Sequence, residues 1–257
     1  MMNFPPKQDG DTRDRVPFTM LVPNMVTLAG MCLGLTSMRF AMDDRFGIAL
    51  LLILLSALMD GLDGLIARRL NATSKFGAEL DSLSDFMCFG VAPGVLVYNY
   101  HLDESGSIGW IFVLVFAAAT CLRLARFNVM RGRVDEDEED APAKPYFTGV
   151  PAPAGALLGL MPVFAAQAEY FDAGQAPMLV ALWLGLVAGL MISNIPTPSP
   201  RSLRIPRRAI GLMMFAMVIA IGMIFTRPWT LLVIINGLYL ATVAFAAISH
   251  MRRRSQN

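Results

Sequence analysis

A chain of 257 residues that is 55% hydrophobic, only 16% charged and +1 in net charge is too apolar for an ordinary soluble domain and lacks the basic excess of a nucleic-acid partner. Most of it belongs in lipid. Cys32, Cys88 and Cys121 all lie in apolar runs with no Cys-x-x-Cys pair and no histidine cluster, which argues against a disulfide framework and a zinc site.

Segment 1–20 is polar and proline-containing, without the apolar core and small-residue cleavage site of a secretory signal, so it is expected to be retained as a cytoplasmic N-terminal segment. Eight apolar stretches follow, at 22–40, 47–67, 76–98, 109–126, 151–168, 178–195, 209–225 and 229–250. Each approaches the roughly 20 residues that cross a hydrocarbon core of about 30 Å. The fold class this predicts is an all-α integral membrane protein, a polytopic helical bundle. A cytoplasmic N-terminus puts all but Arg39, Arg45 and Arg227 of the 21 lysines and arginines on the inner side, and an even number of spans keeps that segregation and returns the C-terminus to the cytoplasm. Trp110, Trp183 and Trp229 then fall toward the outer side, as interfacial anchors or packing residues.

The inner connections carry the unusual composition. Asp135, Glu136, Asp137, Glu138, Glu139 and Asp140 read as a solvated loop or as an acidic flap over a cytoplasmic site. Pro196, Pro198, Pro200 and Pro206 mark another inner connection that cannot be helical throughout.

The chemistry concentrates in 59–85, where Asp60, Asp63, Asp81 and Asp85 stand at the edge of lipid, a costly place for ionisable groups without partners or metal. On helices, spacings of three and four put Asp60 with Asp63 and Asp81 with Asp85 on single faces. A short connection makes the second and third spans antiparallel neighbours, so the four carboxylates can converge. Left alone they would repel one another. An all-oxygen donor set suits Mg²⁺, Mn²⁺ or Ca²⁺. A structural charge network with Arg68, Arg69 and Lys75, or a cation transporter, would use the same acids. Gly61, Gly64 and Gly77 suggest that backbone approaches a neighbouring helix or a ligand.

Asp60, Asp63, Gly64, Ala67, Arg68, Gly77, Asp81 and Asp85 match, at every spacing, the pattern D-x2-D-G-x2-A-R-x8-G-x3-D-x3-D. That pattern is the signature of the CDP-alcohol phosphotransferase family, which the chain resembles. The resemblance implies a six-helix membrane core, here spanning 21–200, with the last two helices and basic tail of 201–257 peripheral to it. It also implies displacement of CMP from a CDP-linked lipid or alcohol with two divalent cations, Mg²⁺ or Mn²⁺ and possible with Ca²⁺. Asp60, Asp63, Asp81 and Asp85 would be metal ligands, Asp85 would serve also as general base, and Gly64, Ala67, Arg68 and Gly77 would lie at the nucleotide. Pro23, Asn24 and Thr27 resemble the family's Pro-Asn-x-x-Thr element near the nucleotide, though a capped helix start would read similarly. The family tendency is a homodimer.

Two further segments resemble the phosphatidylserine synthase branch of the family: Arg123, Leu124, Ala125, Arg126, Phe127 and Asn128, and the stretch from Phe147 to Pro153. They imply CDP-diacylglycerol and L-serine as substrates, in a cell (inner) membrane that supplies the lipid. A serine acceptor carries a carboxylate, which Arg123 and Arg126, with Asn128 nearby, could grip. Positive-inside placement alone would also explain the arginines. Another member of the family, making phosphatidylglycerophosphate or a phosphatidylinositol phosphate, is the alternative acceptor reading.

Overall fold

The computed structural model describes residues 21–70, 72, 74–137, 146–170, 176–193, 196–198 and 210–254. The N-terminal segment 1–20, Glu138, Glu139, Asp140, Pro200 and Pro206 lie outside these residues. Helix α1 (Val22–Met42) is followed by α2 (Phe46–Arg69) and α3 (Lys75–Asp85). Helix α3 runs on without a loop through a π-helical turn (Phe86–Val91), α4 (Ala92–Val97) and a second π-helical turn (Tyr98–Leu102). After a 3₁₀ turn (Asp103–Ser105) come α5 (Gly106–Asp137), α6 (Ala152–Gly159), α7 (Met161–Gln167), α8 (Pro177–Ile192), α9 (Ile210–Thr226) and α10 (Pro228–Arg254).

The eight expected spans are present as helical rods, with corrections to their lengths and continuity. Among the described residues four helical stretches are long and apolar enough to cross a membrane: Val22–Met42, Phe46–Arg69, Lys75–Met130 and Pro228–Ile248. The third of these doubles back at the 3₁₀ turn, because α5 packs along α4 and both π-helical turns, so it supplies two rods. At 16 residues α8 is only about 24 Å long. By contrast α5, at 32 residues, reaches about 48 Å and carries Asp135, Glu136 and Asp137 as continuing helix, where a solvated loop was expected.

The rod expected at 151–168 is broken at Leu160, since Pro162 has no N–H and its ring excludes a helical approach to the carbonyl of Leu158. That carbonyl accepts a 2.7 Å hydrogen bond from Trp183 Nε1 instead. Trp183 is thus held by packing and a specific bond, Trp229 stacks on Phe164, and Trp110 meets Tyr98 edge-on. Among the described residues two antiparallel three-residue strands also pair, β1 (Tyr146–Thr148) and β2 (Pro196–Pro198), with Phe147 opposite Thr197.

In lipid, helices gain little from burying apolar area and associate through close contact of small residues. The buried stripe of α1 is Pro23, Thr27, Gly30, Gly34, Ser37 and Ala41. A Cβ on Gly30 would lie 3.3 Å from Met59 Cβ on α2, and one on Gly34 would lie 2.8 Å from Cys88 Sγ on the first π-helical turn. One face of α1 therefore seats both arms of the motif. The main core cluster fills the middle of the bundle with Leu50, Ile53, Leu96, Phe116, Leu158, Phe164 and Leu184, while the opposite faces, such as Leu51, Leu55 and Leu58 of α2, are exposed as lipid contacts require. Helix α10 packs on α7, β2 and α9, and Asn236 and Val243 on it are buried, whereas most of α9 is exposed.

Gly149, after β1, has φ +80°, and a Cβ there would lie 2.7 Å from the Ser193 carbonyl and 2.8 Å from that of Met191. Both conformation and space demand glycine. Gly149→Ala is expected to cost about 1–3 kcal/mol, read as a lower unfolding midpoint in detergent; an unchanged midpoint would show that this junction is not under constraint.

Candidate active site and metal centre

Three elements build the site: the start of α1, the end of α2 and the start of α3. Pro23 sits in the first turn of α1, where a missing N–H costs nothing, and Leu21 at the cap position offers no side-chain bond. Asn24 and Thr27 therefore do not cap this helix. The Thr27 hydroxyl lies 2.6 Å from Asp63 Oδ2, to which it donates, and 3.1 Å from the Pro23 carbonyl. Ser74 caps α3, its Oγ accepting from the Gly77 N–H at 3.0 Å. A Cβ on Gly77 would be 2.9 Å from Asn24 Oδ1, so α1 and α3 touch where Gly77 stands.

Helices α2 and α3 were expected to be neighbours. Both rest on α1, and they face each other through their acidic side chains rather than by close backbone packing. Their motif ends splay, leaving a cleft of about 550 Å³ lined by Asn24, Thr27, Asp63, Gly64, Ala67, Arg68, Lys75, Gly77 and Asp81 among others. A Cβ on Gly61 or Gly64 would meet nothing within 4 Å, so neither glycine serves helix packing. Gly64 faces the cleft, which fits the approach of a ligand.

Carboxylate oxygens of Asp60, Asp63 and Asp81 all lie within 4.8 Å of one another. Hard cations bind oxygen at about 2.0–2.6 Å, so ligand atoms up to about 5 Å apart can share one ion. Asp63 is buried, Asp60 and Asp81 are half-buried, and the donors are all oxygen: the residues fit a divalent cation. Asp85 completes the group through a side-chain hydrogen-bonding contact with Asp60, an arrangement two carboxyl groups hold only by sharing a proton or a cation. Behind the acids, Ser84 Oγ donates to the Thr27 carbonyl at 3.3 Å and Cys88 Sγ to the Gly30 carbonyl at 3.5 Å, which bolts the third rod to α1. The π-helical turn begins one residue after Asp85, where wide turns are common at functional sites. Gly90 within it admits α5, since a Cβ there would be 3.1 Å from Thr120 Cβ.

The three residues expected at the acceptor are divided. Arg123 on α5 is half-buried and feels the charge of Asp85. Arg126, three residues on, is exposed and its guanidinium donates to the Ile192 carbonyl at 3.4 Å, holding the end of α8. Asn128 Nδ2 donates to Ser82 Oγ at 2.9 Å, which fixes α5 to α3 beside Asp81. Ser82, Ser84 and Cys88 escaped the reading of the sequence because their partners are distant in it; Ser74 could have been found, as a serine three residues before Gly77 at a helix start.

The family model described as CDP-alcohol phosphatidyltransferase matches residues 20–191. Among curated relatives, the CDP-diacylglycerol–serine O-phosphatidyltransferase of Mycobacterium leprae is 35% identical over 230 residues, spanning 88% of this chain and 74% of that protein. The protein of the same name in Helicobacter pylori is 36% identical over 222 residues, 86% of this chain and 88% of its own. That of Bacillus subtilis is 30% identical over 177 residues, 69% of this chain and 89% of its own.

Thr27 holds a metal-ligand candidate in place from behind, and loss of such support typically weakens metal binding 10- to 100-fold. Thr27→Val is expected to lower Mn²⁺ affinity about tenfold in titrations of the detergent-solubilised protein. Unaltered affinity would mean that the bond to Asp63 does not orient a ligand.

Proposed function

The chain belongs to the CDP-alcohol phosphatidyltransferase family, and on that premise we propose that it transfers the phosphatidyl group of CDP-diacylglycerol to the hydroxyl of L-serine, giving phosphatidylserine and CMP. The names of its relatives support the serine acceptor. The observation that carries the reading is the meeting of Asp60, Asp63 and Asp81 beside a cleft, with Asp85 against Asp60 and a half-buried arginine, Arg123, that interacts electrostatically with Asp85. An uncharged acceptor has no need of that arginine; a carboxylate does, as would a phosphorylated acceptor.

In this reading the cleft takes the cytidine diphosphate. Arg68 and Lys75 offer cationic side chains along its wall, Gly64 and Ala67 leave room for the nucleotide, and Asn24 and Gly77 close its α1 side. Asp60, Asp63, Asp81 and Asp85 would hold two divalent cations, Mg²⁺ or Mn²⁺, with Ca²⁺ a third candidate; bound there, the cations supply neutralisation of the diphosphate and of charge on the departing CMP. Asp85 accepts the proton of the serine hydroxyl as its oxygen bonds to the lipid-linked phosphorus and the bond from that phosphorus to CMP breaks. Arg123 orients serine through its carboxylate. Arg126 and Asn128 shape the rim, the first by holding α8 and the second by holding α3.

The same reading makes 21–200 the catalytic core and 201–257 an appended pair of helices with a basic tail. It puts the protein in the cell (inner) membrane with both termini cytoplasmic, which is supported by the one-sided distribution of basic residues, so nucleotide and serine arrive from the cytoplasm and lipid enters sideways. A homodimer is part of the reading on the strength of the resemblance.

Purified protein given CDP-diacylglycerol and Mg²⁺ or Mn²⁺ is expected to release CMP with L-serine and not with glycerol 3-phosphate or inositol phosphate. Asp85→Asn is expected to reduce that release at least 10²-fold, the lower range for general-base catalysis, while nucleotide binding persists. Release with a phosphorylated acceptor in place of serine would replace the acceptor assignment, and an active Asp85→Asn would remove Asp85 as base.

A further inference from the structure

Helix α10 lies beyond the family-matched residues 20–191, yet it turns a defined face into the bundle. Leu232, Val233, Asn236, Tyr239, Leu240 and Val243 recur at helical spacing; Asn236 and Val243 are buried, and the others pack on the main core. Trp229 anchors the start of this face on Phe164. Tyr239 is the member of this stripe that interacts electrostatically with Arg123, which in turn interacts with Asp85.

Two buried polar atoms are left without hydrogen-bond partners at this junction, Arg123 Nε and the Tyr239 hydroxyl. Buried polar groups are otherwise paired almost without exception, so each orphan calls for a partner that protein atoms do not supply. The two do not bond to each other. Both can donate, and the acid whose charge acts on Arg123, Asp85, belongs to the proposed reacting centre. A small anion with two acceptor oxygens fits such a pair of donors, and an acceptor amino acid presents one in its carboxylate.

We propose that Tyr239 is a specificity-determining residue of the acceptor pocket: with Arg123 it receives the carboxylate of the acceptor, so that α10 completes a site whose metal-binding half lies on α2 and α3. The proposal rests on the serine-transfer reading above. The same donors could serve a phosphate oxygen of the CDP-lipid instead, and the kinetics separate the two sources.

The experiment compares Tyr239→Phe with the unaltered protein in CMP release, using L-serine and serinol, which has the hydroxyl and amine but no carboxylate. The expected result is an about tenfold rise in the KM for serine, with kcat, the KM for CDP-diacylglycerol and turnover of serinol little changed, as for loss of one hydrogen bond to a charged group. Thermal unfolding in detergent verifies that the variant is folded. In an Arg123→Lys background, where Nε is gone, Tyr239→Phe is expected to cost less than it does alone. An unchanged KM for serine, or a rise confined to CDP-diacylglycerol, would overturn the proposal. Failure of the unaltered protein to release CMP with serine would instead bring down the reading of function beneath it.

Discussion

The close approach made possible by the small residues of α1 is the constraint on which the rest depends. Gly30 and Gly34 bring α1 against Met59 and Cys88 at distances that a side chain at either position would tighten or forbid. Thr27, one turn nearer the motif end on the same stripe, then reaches Asp63 with its hydroxyl and Ser84 with its carbonyl. Packing and polar support are thus one feature. A larger residue in the stripe would move the two motif helices apart and separate the carboxylates they carry.

Because α2 and α3 are both seated on α1, they need not pack on each other at the motif end, and the cleft between them follows. The acids converge at its base and the signature glycine, alanine and arginine line its wall. The electrostatic cost of gathering four carboxylates at the edge of a membrane is what a divalent cation offsets, so the same geometry that is unfavourable for the bare chain is suited to a bound diphosphate. Beyond the acids, α5 carries the half-buried Arg123 and uses Asn128 and Arg126 to tie down α3 and α8.

Much of this was legible in the residues. Apolar runs near 20 residues gave the helical rods, and the spacing of Asp60, Asp63, Asp81 and Asp85 gave the convergence, since both depend on local periodicity. What could not be read depends on contacts between distant residues. Trp183 satisfies the carbonyl freed by Pro162, which allows a broken rod where a continuous one was expected. Arg123 and Arg126 look equivalent at a spacing of three, yet one turns inward and the other to the end of α8. The glycines divide in the same way: both line the cleft, but a side chain on Gly64 would meet nothing whereas one on Gly77 would meet Asn24. Nothing in the apolar sequence of α10 marks Tyr239, because the burial of its hydroxyl without a partner depends on residues distant in the chain.

Helix α1 holds two helices so that their carboxylates can form one divalent-cation centre. Electron paramagnetic resonance of Mn²⁺ added to the purified, detergent-solubilised chain tests it most directly by counting bound ions. The expected result is saturable binding of two Mn²⁺ per chain in the presence of CDP-diacylglycerol, lost when Asp60 and Asp81 are both changed to asparagine in a protein that still folds. Absence of saturable binding, or binding that survives both substitutions, would contradict the claim.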